Sequence, residues 1–186
     1  MARWRSWLAG GLVAASLPLG AAAASAQNLP PSVIAVVDFE AIIRNSAAGQ
    51  SLRRQVDKQR ETFQAEVATE ESRLRAEEQQ LKSDEQQLTP EQFTEKRRAF
   101  EARVAEVQRL VQARKQSLDQ ALDRGEMTIR ETMIEVLGDF AKQRGFNIVL
   151  PLRQVLLLEP TFDLSDDVLA ELNRRLPDVA VEFGAE

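Results

Sequence analysis

The chain of 186 residues contains no cysteine, no histidine and no tyrosine. Without cysteine there is no disulfide and no thiolate nucleophile. Without histidine the commonest metal ligand and the commonest general base are both missing. No GxxxxGK[ST] or GxGxxG pattern occurs, so nothing in the sequence supports a nucleotide site. Carboxylates are abundant, but they stand at helical spacing from Lys and Arg, as in Asp57/Arg60 and Glu101/Arg97. Such pairs are solvated helix surface worth about a few tenths of a kcal/mol each. These absences argue against an enzyme, and no cofactor and no metal is expected.

Long apolar runs are missing too, except at the start. Arg3 and Arg5 precede a run containing Leu8, Leu12, Val13, Leu17 and Leu19, and Ala24-Ser25-Ala26 has the small-residue pattern of a cleavage site. Residues 1–26 are therefore expected to be a secretory signal cleaved after Ala26, which makes residues 27–186 an exported chain. No Cys follows the cleavage site to carry a lipid anchor. Removal of 1–26 takes two of the 24 basic residues and none of the 29 acidic ones, leaving a net charge of −7. Residues 159–186 hold eight acids against Arg174 and Arg175, so −6 of that charge lies there and the remainder is near neutral. Nothing in this balance favours nucleic acid as a partner.

What the chain does have is helical heptad patterning from about 46 to 144. Thr89-Pro90-Glu91-Gln92 is a helix start: Thr89 as N-cap, Pro90 at the first helical position and Gln92 closing a capping box. Pro90 also disfavours helix at Thr89, so a preceding helix must stop there. In the first arm Val56, Phe63, Val67, Leu74, Leu81 and Leu88 occupy a/d rows, shared with Arg53, Arg60, Glu70, Glu77 and Asp84. The second arm has Phe93, Phe100, Val104, Val107, Val111, Leu118 and Ala121, interrupted by Arg97 and Arg114, and continues through Ile129, Met133, Val136, Leu137 and Phe140. Lys142 and Arg144 followed by Gly145 mark its end. Residues 90–144 as one helix would span about 80 Å, against about 30 Å for a compact domain of this size. An antiparallel hairpin projecting from a smaller body is predicted. Gly125 and Gly138 in the second arm are read either as bending points, or as tolerated glycines or sites of close helix approach. Lys96, Arg97 and Arg98, near the hairpin tip, are read as a solvated helix face or as an anionic-ligand site.

The flanks supply the body, 27–45 and 145–186. Val33-Ile34-Ala35-Val36-Val37 reads as a strand buried on both faces, Asp38 as the cap of a short helix, and Ser46 as the cap of the first arm. Asn147–Leu150 reads as a second strand limited by Pro151, and Gln154–Leu158 as a third. Ser165 is expected to cap a last helix with Val168, Leu169, Leu172 and Leu176 on its apolar face, ended by Pro177. Three short strands are not a stable core by themselves and leave edges to be paired. A symmetric homo-oligomer is predicted, with Val33, Ile34, Val36, Val37, Ile148, Val149, Leu150, Val155, Leu156 and Leu157 as the candidate oligomerisation residues.

Ile34-Ala35-Val36-Val37-Asp38, then Ser46-Ala47-Ala48-Gly49, resembles the opening of the Skp/OmpH family of periplasmic chaperones. Gly145-Phe146-Asn147-Ile148-Val149-Leu150 and Asp163-Leu164-Ser165-Asp166-Asp167-Val168-Leu169 resemble its closing block, and the charged hairpin lies between them. The resemblance covers 33–176. It implies a mainly α fold with a small β body: a long antiparallel helical hairpin, or tentacle, projecting from a short-stranded oligomerisation domain, assembled as a trimer around a cavity. It implies an ATP-independent holdase for unfolded outer-membrane proteins in transit. Phe63, Phe93 and Phe100, with Lys96, Arg97 and Arg98, are then the candidate client contacts, although the three Phe can instead pack within the hairpin. Contact with a membrane surface is left open. The arms here are neutral where family members often have basic ones, so no lipopolysaccharide role is carried over. The alternative reading is a structural or adaptor coiled coil of the cell envelope.

Overall fold

The computed structural model describes residues 30–184, of which Ser32 onward forms one unit. The predicted signal and its cleavage after Ala26 lie outside the described residues. Among the described residues no helix is long and apolar enough to cross a membrane.

Three β-branched residues in four make Ile34–Val37 a strand, β1, with Ala35, Val36 and Val37 buried. It pairs in parallel with β2 (Ile148–Pro151), in the register Ile34↔Ile148 to Val37↔Pro151. Asn147 fixes that register. Its Oδ1 accepts from the Val33 N–H at 2.8 Å, and its own N–H donates to the Val33 carbonyl at 2.9 Å. The second edge of β1 is met only briefly, by a parallel bridge between Val36 and Asp163 and by the Leu164 N–H donating to the Val36 carbonyl at 3.0 Å.

The predicted third strand is not formed. Pro151 ends β2, Leu152–Gln154 is a single 3-10 turn, and 155–159 is irregular. The reason is local and tertiary together. Proline withholds the N–H that would extend the ladder. Among the described residues no strand lies beside 154–158 to pair with it.

The helices begin where the polar caps stand. Asp38 Oδ1 accepts from the Ala41 N–H at 2.9 Å and opens α1 (Phe39–Asn45). Ser46, fully buried, ends α1 and opens α2 (Ala47–Asp84) by accepting from the Gly49 N–H at 3.0 Å. This corner requires glycine at 49, because a Cβ there would overlap the Ile43 carbonyl oxygen. The first arm is shorter than its heptads. α2 stops at Asp84, and Leu88 lies in the turn, its N–H donating to the Asp84 carbonyl at 3.0 Å. α3 (Pro90–Arg144) starts with the capping box read from the sequence: Thr89 Oγ1 accepts from the Gln92 N–H and Gln92 Oε1 accepts from the Thr89 N–H. Gly145, at φ 78°, closes it in the left-handed region.

Cross-links show α2 and α3 running antiparallel: Lys96–Asp84 at 2.6 Å, Arg103–Glu70 at 2.5 Å and Arg114–Glu66 at 3.2 Å. Gly125 is a site of close helix approach, since a Cβ there would stand 2.5 Å from Leu52 Cδ1. Gly138 has open space around it. Packing is graded along the pair. Leu52, Ile129, Met133 and Val136 are fully buried with Val37, Ile42, Val168 and Leu172. From residue 64 to residue 106 no apolar side chain is buried.

The last helix, α4 (Ser165–Arg175), has no side-chain cap at its N-cap residue, Leu164. Ser165 does not cap it as predicted. Its Oγ accepts instead from the Asp38 N–H at 2.8 Å, tying the end of β1 to α4, and Asp163 Oδ1 accepts from the Ser165 N–H at 2.9 Å. Arg175 bridges α4 to α3 through Asp139 at 2.9 Å. The Arg174 and Arg175 guanidiniums push the Glu171 carboxyl down to about 2, and Arg175 with Lys142 holds Asp139 low as well.

Two predictions follow from this packing. Gly49→Ala forces the α1–α2 corner apart and costs about 1–3 kcal/mol, whereas Gly138→Ala stabilises by about 1 kcal/mol or somewhat less. Urea midpoints of the two variants move in opposite directions; a shared direction contradicts the assignment. The second concerns acid. Glu171 ionises near 2 in the fold against an ordinary 4.5. Its contribution is therefore complete above about 4.5 and is lost as pH falls toward 2. Between those values the Glu171→Gln variant loses stability less steeply than the parent, and parallel profiles refute the role of the Arg174–Glu171–Arg175 cluster.

Candidate functional site

Two surfaces carry the residues singled out from the sequence. The first is the β edge. Val36 and Val37, candidates for assembly, are both buried, Val37 in the core cluster with Ile42 of α1 and Val168 and Leu172 of α4. Val149, Leu150 and Val155 are half-buried. Val33, Ile34 and Ile148 are exposed, the last two as register partners on neighbouring strands. Leu156 and Leu157 are 105% and 92% exposed, the most open large apolar side chains among the described residues. Phe162 adds a further exposed ring. The outer edge of β2, unpaired among the described residues, lies beside apolar surface that includes the exposed pair Ile34/Ile148 and the two leucines.

Beside the strand ends lies a cleft of about 560 Å³ formed by Phe39, Ile43 and Leu152 with Arg44, Arg130 and Arg153. Arg153 is matched there by Glu40 at 2.7 Å.

The second surface is the distal part of α2 and α3. Phe63 is 6% exposed and lies under the Arg114 guanidinium, 4.7 Å from ring centroid to Cζ, so it takes the packing alternative. Arg114, read as an interruption of the seam, is a filler of it: it covers Phe63 and pairs with Glu66. Phe93 and Phe100 are half-buried. Lys96, Arg97 and Arg98 are exposed. Lys96 is held by Asp84, whose carboxyl its ammonium, with Gln80, lowers below the usual carboxylate range. Arg97 reaches Glu101 at 3.5 Å. The basic run is thus partly neutralised by its own helices.

Sequence reasoning missed a stripe beside the seam. Ala99, Ala102, Leu110 and Ala113, with Val107, line a shallow groove of about 980 Å³ whose polar rim includes Arg103, Glu106 and Arg109. Apolar residues at 99, 102, 110 and 113 fall on one helix face, and that periodicity was the available signal. Residues 177–184 were also missed. Val179 is buried and Val181 and Phe183 pack on the core, an alternation visible after Pro177. Among the described residues no group of carboxylates gathers as a metal site.

Comparison with known proteins agrees with this layout. No curated protein matches the chain. Among solved structures, a Caulobacter crescentus protein described provisionally as an OmpH-like outer membrane chaperone superposes with a TM-score of 0.76, at 15% identity over 84% of this chain and 94% of that one. At that identity the likeness is one of fold. The family model for outer membrane protein (OmpH-like) matches residues 33–172, from the start of β1 into α4. The chain belongs to the OmpH-like family.

Proposed function

We propose that this protein is an ATP-independent periplasmic holdase that keeps unfolded outer-membrane proteins from aggregating in transit. In this reading 27–45 and 145–186 form an oligomerisation body, and residues 46–144 form a hairpin tentacle projecting from it. Three chains join through the β2 edge and the Leu156–Leu157 segment, and three helix pairs enclose the client.

The observation that carries the reading is the packing gradient along α2 and α3. From residue 64 to 106 the pair is held by ion pairs and half-buried side chains, not by a closed core. Exposed or partly exposed ion pairs contribute only about 0–1 kcal/mol each, so this region can bend and re-form its contacts at little cost. Its shallow grooves offer small apolar areas rimmed by charges of both signs. Many weak contacts of that kind hold a client without dictating a structure to it. Release needs no nucleotide if the client's inserted state is more stable than the held one. Family membership and the fold of the Caulobacter structure support the chaperone class.

The direct test dilutes a urea-unfolded outer-membrane β-barrel protein into the mature chain, residues 27–186, and follows light scattering. Aggregation is suppressed without ATP, added nucleotide changes nothing, and suppression saturates near three chains per client. Unchanged aggregation with a well-folded protein moves the assignment to a structural coiled coil of the envelope. The assembly has its own test. Leu156→Ser with Leu157→Ser removes two side chains that bury nothing within one chain, so circular dichroism stays unchanged. Burial of a leucine at an interface contributes about 1.5–3 kcal/mol, and sedimentation of the double variant shifts from trimer toward monomer. An unshifted trimer places the interface elsewhere.

A further inference from the structure

Residues 177–184 run without regular secondary structure past the end of α4 and past the region matched by the family model. They lie against both long helices. Gln55 Nε2 of α2 donates to the Val179 carbonyl at 2.9 Å, and an Arg124 guanidinium N–H of α3 donates to the Glu182 carbonyl at 2.6 Å. Both bonds end on main-chain oxygens, which any extended segment presents. The bond from the Ser51 hydroxyl to the Asp178 carboxylate reads a side chain of the segment. Exposure alternates from 179 to 183: Val179 is 4% exposed and Val181 and Phe183 are half-buried, while Ala180 and Glu182 between them are exposed. The grip loosens along the segment, from the buried Val179 to the partly open Phe183. Near its end Gly184 passes over Ser117, whose hydroxyl is buried without a hydrogen-bond partner.

A surface that holds an extended segment by its carbonyls and accepts every second side chain recognises a pattern, not a sequence. Strands of membrane β-barrels have that pattern, apolar and polar residues in alternation. We propose that the α2–α3 surface beneath residues 177–184 is a docking groove for extended, alternating segments of an unfolded β-barrel client, and that residues 177–184 act as an internal strap competing for it. The client as occupant rests on the holdase reading above. A tethered competitor acts at a high effective concentration. It therefore masks the groove from chance apolar peptides and yields to a client that brings many alternating segments at once.

The chain has no cysteine of its own, and a Cβ at Gly184 would stand 3.9 Å from Ser117 Oγ, which makes these two positions neighbours to join by an engineered disulfide. Ser117→Cys with Gly184→Cys in the mature chain gives a strap that an added oxidant locks and a reductant frees. Both states are one polypeptide, so misfolding of the variant would show in both. Two probes are used: a fluorescent peptide with the sequence of residues 177–186, compared with the same residues in an order that destroys the alternation, and a urea-unfolded β-barrel protein. Freed protein binds the alternating peptide about fivefold or more tighter than locked protein, as expected for removal of a tethered competitor. It discriminates against the scrambled peptide and holds the client at lower concentration. Equal peptide binding and equal holding in both states overturn the strap and leave the holdase reading standing. Peptide binding that follows the lock, with no client held in either state, overturns the client as occupant and the holdase reading with it, while the groove remains a site for alternating segments.

Discussion

Everything in this fold depends on the pairing of β1 with β2. Val33 and Asn147, 114 positions apart, are joined by hydrogen bonds of 2.8 and 2.9 Å. Parallel strands cannot be connected by a tight turn and need a crossover. Here the crossover is α1 and the entire α2–α3 pair. Closing it positions the roots of both long helices against one another, where Gly125 admits Leu52 and Ser46 turns α1 into α2. The same economy leaves the body unfinished. Two strands are too few to be stable alone, and among the described residues the outer edge of β2 is unpaired and Leu156 and Leu157 are exposed; the proposed assembly would cover them.

The second consequence is the gradient of packing. Apolar side chains are closed off at the helix roots and become half-buried toward the turn at 85–88. Distal cohesion passes to charges: Asp84 with Lys96, Glu70 with Arg103, Glu66 with Arg114 over Phe63. A tight root and a weakly bonded far end would suit the proposed holdase, whose arms must stay attached while adapting to a client. Under the proposed holdase function, the polar seam that looks like poor coiled-coil design would let one surface accept many sequences.

Local signals in the sequence were legible because each is decided within a few residues. Asp38, Ser46, the Thr89–Gln92 box and Gly145 all act where their chemistry places them. What was not legible depends on distant partners. Ser165 looks like a helix cap, yet its hydroxyl serves the Asp38 N–H, 127 positions away. Residues 154–158 have strand composition but no strand to join among the described residues. Arg114 looks like an interruption until Phe63 and Glu66 are beside it. At the candidate surfaces, spacing alone does not separate side chains spent inside the chain, such as Val36, Val37 and Phe63, from those left outside, such as Ile34, Ile148 and Leu157.

The central claim is that an assembly of these chains holds a client that remains unfolded. Native mass spectrometry of the complex formed on diluting a urea-unfolded β-barrel protein into the mature chain, with hydrogen exchange read on the client's amides, tests it most directly. The account predicts three chains with one client whose amides exchange as freely as those of an unfolded chain. A client that becomes protected within the complex, or protein that stays monomeric and binds none, would contradict it.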